Sequence, residues 1–172
     1  MKALGLIAAI AIAVVLQTSL ARFTVGTRWA FDLVVVAVVY IALRWGPSAG
    51  VIGGSLGGLI QDALAGGTIG VGGLAKTIVG FGAGVIGSQF IVARPVPRMI
   101  MVAGSTIVGR LVVNGLHGMI DLQWPGLSFV ALLSETALNA LAAFVLFQGM
   151  ESVPTMLRNR PMRRSTFGKR KW

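Results

Sequence analysis

Five side chains in this sequence of 172 residues are carboxylic acids: Asp32, Asp62, Asp121, Glu135 and Glu151. His117 is the single histidine, and cysteine is absent. Disulfides and thiolate metal centres are therefore excluded. The acids are dispersed along the chain, whereas a hard metal ion needs several oxygens gathered together. A serine nucleophile would have Ser55 and His117 at hand. Counted along their helices, Ser55 lies about 13 Å from the outer end and His117 only about 6 Å, so their depths disagree. The Walker pattern of a phosphate-binding loop is missing. The expectation is a protein without catalytic residues, cofactor or resident metal, in which the polar residues do other work.

Those residues fall in rows. Arg110, Asn114, His117 and Asp121 follow one another at intervals of four, three and four, and so share one helical face. Glu135 and Asn139 are four apart on the next helix. Arg110 lies roughly 16 Å from its helix end and Glu135 at a similar depth, which makes an ion pair between them natural. An ionisable group inside a membrane marks function unless it is paired, and a complementary partner at matching depth favours a structural clamp.

A second set of rows consists of small residues. Gly46, Gly50, Gly54 and Gly58 recur every fourth position and lead to Asp62. Gly72, Lys76, Gly80, Gly84 and Ser88 repeat the interval on the following helix. Such rows form a groove in which a second helix backbone can approach closely. Two uses are open. The rows can pack against each other within the chain, with Asp62 and Lys76 closing the hairpin as a salt bridge. Alternatively, Gly50, Gly54 and Gly58 receive a helix of another protein, and Asp62 offers a charge-assisted hydrogen bond at the end of the groove. Gly53 and Gly57 give the same helix a second small face.

The elements that must position these rows are helices in lipid. The chain is 55% hydrophobic and only 12% charged. A soluble domain of this size has about 25% charged residues. Crossing the hydrocarbon layer takes about 20 apolar residues per helix. Six spans are expected, over about 3–20, 29–43, 48–64, 71–92, 99–120 and 126–150. Trp29 and Trp45 frame the second span at its two interfaces. Gly46-Pro47-Ser48 and Ala65-Gly66-Gly67-Thr68 are turns, Arg94-Pro95-Val96-Pro97-Arg98 is a loop, and Asp121 to Pro125 is a tight turn. Ser19-Leu20-Ala21 resembles a signal-peptidase site, but the apolar run before it exceeds the usual length, so retention of this helix is expected. The organisation is thus an all-α membrane domain over 1–150 and a polar tail over 151–172, expected to be disordered.

The formal net charge of +10 does not point to nucleic acid, because the basic residues are not spread over a face. Arg158, Arg160, Arg163, Arg164, Lys169, Arg170 and Lys171 crowd into the tail. With the N-terminus inside, they share the inner side with Lys2, Arg44, Arg94 and Arg98, and the outer loops keep only Arg22 and Arg28. That asymmetry places both termini in the cytoplasm. The tail is also a candidate for contact with anionic lipid.

Residues 57 to 80, Gly-Gly-Leu-Ile-Gln-Asp-Ala-Leu-Ala-Gly-Gly-Thr-Ile-Gly-Val-Gly-Gly-Leu-Ala-Lys-Thr-Ile-Val-Gly, resemble the signature of the rod shape-determining MreD family. Phe31-Asp32-Leu33 is similar to that family's Pro-Asp-Leu entry to helix two, with the proline replaced. The specific match covers about a third of the chain, and the last two helices match in type alone. The resemblance implies a scaffold subunit of the cell-elongation complex in the bacterial cytoplasmic membrane. It implies MreC, a bitopic membrane protein, as direct partner. The wider assembly would hold MreB, a glycosyltransferase and a penicillin-binding transpeptidase, acting in peptidoglycan synthesis. It also implies a fold similar to the substrate-capture subunits of energy-coupling-factor importers. The alternative function is therefore capture of a vitamin-type small molecule.

Overall fold

A computed structural model describes residues 2–24, 31–66, 68–89, 95–120, 126 and 128–158. Among these, all regular structure is helical, and the order is α1 (Lys2–Thr24), α2 (Leu33–Trp45), α3 (Pro47–Ala65), α4 (Val71–Gln89), α5 (Pro95–Ile120) and α6 (Phe129–Arg158). Three helical segments, Val71–Gln89, Pro95–Ile120 and Phe129–Gly149, are long and apolar enough to cross a membrane by themselves. Leu4–Leu20 and Leu33–Trp45 are shorter apolar stretches.

The helix count agrees with the sequence, and the boundaries differ for local reasons. α2 starts at Leu33 and not at Trp29, because the Asp32 side chain accepts the Val35 N–H and caps the helix there. Trp29 lies outside the described residues, so only Trp45 of the expected pair is placed, as the last residue of α2. The expected loop at Arg94–Arg98 is in large part the first turn of α5, which begins at Pro95. Proline is penalised inside a helix, but its missing N–H costs nothing in the first turn, so Pro95 and Pro97 both fit. α3 ends as expected, at Gly66 in the left-handed conformation with φ 68°. α6 continues past the expected end at Met150 as far as Arg158. The expected tail disorder beyond that point, and the turn over Asp121–Pro125, lie outside the described residues.

α2 is the central helix. Val34, Val36, Val38, Val39 and Ile41 are all essentially inaccessible, so it is apolar and buried around its whole circumference. On one side it packs with Leu6, Ile10, Ala13 and Val14 of α1. On the other it joins Val79 and Ala83 of α4, Val102 of α5, and Ala143 and Phe147 of α6. Tyr40 meets Phe147 with ring centroids 5.4 Å apart, and the Arg98 guanidinium lies 5.3 Å from the same Phe147 ring. Lipid-sized apolar side chains such as Leu4, Ile52, Phe81, Ile100 and Val145 point outward.

α3 and α4 cross backbone to backbone. A Cβ on Gly50 would run into the Gly80 carbonyl, and one on Gly54 into the Lys76 carbonyl. A Cβ on Gly58 would lie 2.5 Å from the Gly73 Cα, and one on Gly84 2.5 Å from the Pro47 Cα. The two glycine rows are therefore each other's partners, as close packing in lipid favours. Gly53 and Gly57 present the second face to Ile41 and Val34 of α2 and to Ile10 of α1.

Candidate functional site

α1, α3 and α5 end where α2, α4 and α6 begin, and at that end the bundle gathers its polar side chains around a cleft of about 320 Å³. Asp32 is the hub. Its Oδ1 caps α2, and its Oδ2 is 2.8 Å from Lys76 Nζ on α4. Its backbone N–H donates to Asn139 Oδ1 on α6 at 2.8 Å. Asn139 Nδ2 donates in turn to Thr106 Oγ1 on α5 at 3.1 Å, and Thr106 donates to the Val102 carbonyl. From α1, Gln17 Oε1 accepts the Leu33 N–H at 2.7 Å, and its Nε2 donates to the Phe31 carbonyl. The open N–H groups at the start of α2 are thus met by the capping Asp32 and by side chains of two other helices, Gln17 of α1 and Asn139 of α6.

The second ion pair joins Arg110 Nε to Glu135 Oε2 across α5 and α6, as the depth count anticipates. Glu135 is 6% exposed and Arg110 41%, so the carboxylate is sealed and the guanidinium looks into the cleft. Burial of a charge is tolerable when it is paired and hydrogen-bonded in this way.

The expected Asp62–Lys76 salt bridge is not formed. Lys76 turns inward to Asp32, with its side chain 8% exposed. Asp62 instead folds over the start of α4, where its Oδ2 accepts the N–H groups of Gly70, Gly72 and Gly73 at 2.9, 3.0 and 3.1 Å. A carboxylate at a helix N-terminus satisfies unpaired donors and meets the positive end of the helix dipole. The groove of Gly50, Gly54 and Gly58 is likewise not open to a foreign helix, since α4 fills it. Docking of a partner helix on these glycines is corrected on that ground: no space for a second backbone remains on this face.

Of the α5 row, Asn114 lines a smaller cleft beside Arg110, and His117 Nδ1 lies 3.0 Å from the Val113 carbonyl of its own helix. Asp121 lies outside the described residues. Ser55 donates to the Ile52 carbonyl one turn back, so Ser55 and His117 form no pair. Sequence reasoning missed Gln17 and Thr106 as parts of the network. Gln17 carried a usable signal, being an amide in the apolar run of α1.

Every part of this network falls inside residues 2–153, the span matched by the family model of rod shape-determining protein MreD. The chain belongs to the MreD family. Its MreD segment covers the five complete helices α1 to α5 and α6 as far as residue 153. As an MreD protein with long apolar helices, it is a rod shape-determining membrane protein. No curated protein and no solved structure matches the chain.

Proposed function

We propose that this MreD protein is a non-catalytic scaffold subunit of the cell-elongation complex, crossing the bacterial cytoplasmic membrane six times with both termini in the cytoplasm. The observation that supports it most is how the ionised groups are used. Asp32 meets Lys76, Glu135 meets Arg110, and Asp62 holds the start of α4. These groups line one cleft, and there each ties one helix to another. The bundle is a rigid platform. Its direct partner in this reading is MreC, with MreB, a glycosyltransferase and a penicillin-binding transpeptidase in the wider assembly that makes lateral peptidoglycan. The arrangement of helices is read as akin to that of importer capture subunits. The basic residues of the tail, from Arg158 to Lys171, rest on anionic lipid at the inner surface.

Two measurements test this reading together. Single cysteines are introduced at Thr68 and at Ser165 in a chain that has none of its own. An impermeant thiol reagent applied to cells with a permeabilised outer barrier should label position 68 and spare position 165. MreC should co-purify with the same tagged chain from native membrane. Labelling at 165 refutes the orientation, and consistent loss of MreC during mild solubilisation and crosslinking refutes the scaffold assignment.

A further inference from the structure

The cleft between the helix ends holds more polar capacity than the network consumes. Its charged lining comprises Asp32, Asp62, Glu135, Lys76 and Arg110, one more acid than base. Two of the acids are neutralised by the two bases. Asp62 remains, with Oδ2 committed to α4 and Oδ1 taking no hydrogen bond among the described residues. Beside it, Gln61 Oε1 is buried with no hydrogen-bond partner among the described residues. An orphaned buried acceptor costs about 1–3 kcal/mol, so a native fold keeps one where something else completes it. Across the cleft, Arg110 is bound to Glu135 through Nε alone among the described residues, and 41% of its side chain is accessible. One wall therefore asks for a donor with positive charge, and the facing wall offers a guanidinium to an anion.

We propose that this cleft binds a zwitterionic ethanolamine phosphodiester, with its ammonium between Asp62 Oδ1 and the Gln61 amide and its phosphodiester on Arg110. The class follows from three features. A polyanion would face a lining whose net charge is −1, with acids Asp32, Asp62 and Glu135 against bases Lys76 and Arg110. The volume of about 320 Å³ stands at the small end of ligand cavities. The cleft opens at the helix ends, where Asp32 and Asp62 stand within a turn of the α2 start and the α3 end, the depth of a lipid headgroup or of a solute arriving from water. A primary ammonium matters because it has N–H groups to give; a quaternary one has the same charge and none. Gln61 lines the cleft, and turning its amide over brings the orphaned Oε1 round to accept from the ammonium. This inference stands independently of the scaffold reading, since it concerns the cleft and not the partner.

The test uses the full chain, delipidated in a neutral detergent, with glycerophosphoethanolamine as the soluble probe and glycerophosphocholine as its control. Native mass spectrometry or calorimetry should give one bound glycerophosphoethanolamine per chain. The affinity for glycerophosphocholine should be at least about tenfold weaker, the loss of a charge-assisted hydrogen bond. Gln61→Leu should weaken the first and leave the second unchanged. If that variant gives no monodisperse protein, the two headgroups compared on the unaltered chain carry the test alone. Asp62 is left intact because it also caps α4. Nanodiscs then separate the sources. If phosphatidylethanolamine discs abolish soluble binding while phosphatidylcholine discs do not, the ligand is a lipid headgroup; if neither does, it is a free diester. Absence of binding, or equal affinity for the two headgroups, overturns the proposal.

Discussion

The α3–α4 pair and the α5–α6 pair solve the same problem with opposite chemistry. α3 and α4 have removed their side chains at the contact, so that Gly50 faces the Gly80 carbonyl and Gly54 faces that of Lys76. α5 and α6 keep their side chains and are joined through Arg110–Glu135 and Thr106–Asn139. Gly104, Gly115 and Gly149 in that second pair have open space where a Cβ would stand. The first contact is therefore intolerant of volume and indifferent to charge, and the second is the reverse. Lipid explains why both exist: with no hydrophobic drive between helices, association must come from close packing or from polar contacts.

The comparison breaks first, and most severely, at Gly54. Gly54→Leu places a branched side chain against the Lys76 carbonyl and the Thr77 amide, which are backbone and cannot yield. Overpacking with side-chain neighbours costs about 1–3 kcal/mol, and more is expected against backbone. The outcome should be loss of folded protein, read as reduced detergent-solubilised yield and a void-volume peak in gel filtration. A normal elution profile would show that α3 and α4 can part, and would reopen the groove to another helix.

What the sequence disclosed follows the same division. The glycine contact was legible because residues four apart lie on one helical face, and rows of small residues on successive antiparallel helices have few other uses. Arg110–Glu135 was legible because depth can be counted along straight helices from their shared turn. The partner of Lys76 was not. Asp62 is nearer in the chain, and nothing local shows that α2 slots between α1 and α4 and brings Asp32 to within 2.8 Å. The real role of Asp62 had a trace, since glycines at 70, 72 and 73 leave N–H groups unobstructed. The start of α5 departs from the expected loop because the proline penalty applies inside a helix, whereas Pro95 and Pro97 stand in its first turn.

The next largest effect should be at Asp32. Asp32→Ala removes the α2 cap and leaves the buried Lys76 ammonium without its counter-charge. Breaking one side of a buried pair costs about 3–5 kcal/mol. Lys76→Met in the same background should recover much of that, because the uncompensated charge is gone. In a double-mutant cycle, Asp32 and Lys76 should therefore couple strongly, and Asp62 and Lys76, which share no ion pair, much more weakly. Thermal denaturation in detergent supplies the four stabilities of each cycle. Strong coupling of Lys76 to Asp62 would mean that the inward pairing is wrong and the hairpin closure right.

The smallest effect is the sharpest control, because it uses one substitution type in one helix pair. Gly82 belongs to α4, like Gly80, yet a Cβ there would meet nothing within 4 Å. Glycine in a helix interior is about 1 kcal/mol less favourable than alanine. Gly82→Ala should therefore leave the protein as stable as before or raise its stability by up to that amount. Gly80→Ala, two residues away, should destabilise, since its Cβ would strike the Gly50 carbonyl. The difference in sign cannot come from propensity, which is equal at the two positions, and isolates the backbone contact. If Gly82→Ala lowers the melting temperature as Gly80→Ala does, glycine on α4 is needed all round the helix and the close-packed face is not the reason. If Gly82→Ala is neutral in detergent but lowers recovery of MreC, the outward face of α4 lies against the partner, and the tight contact and the docking contact occupy opposite sides of one helix.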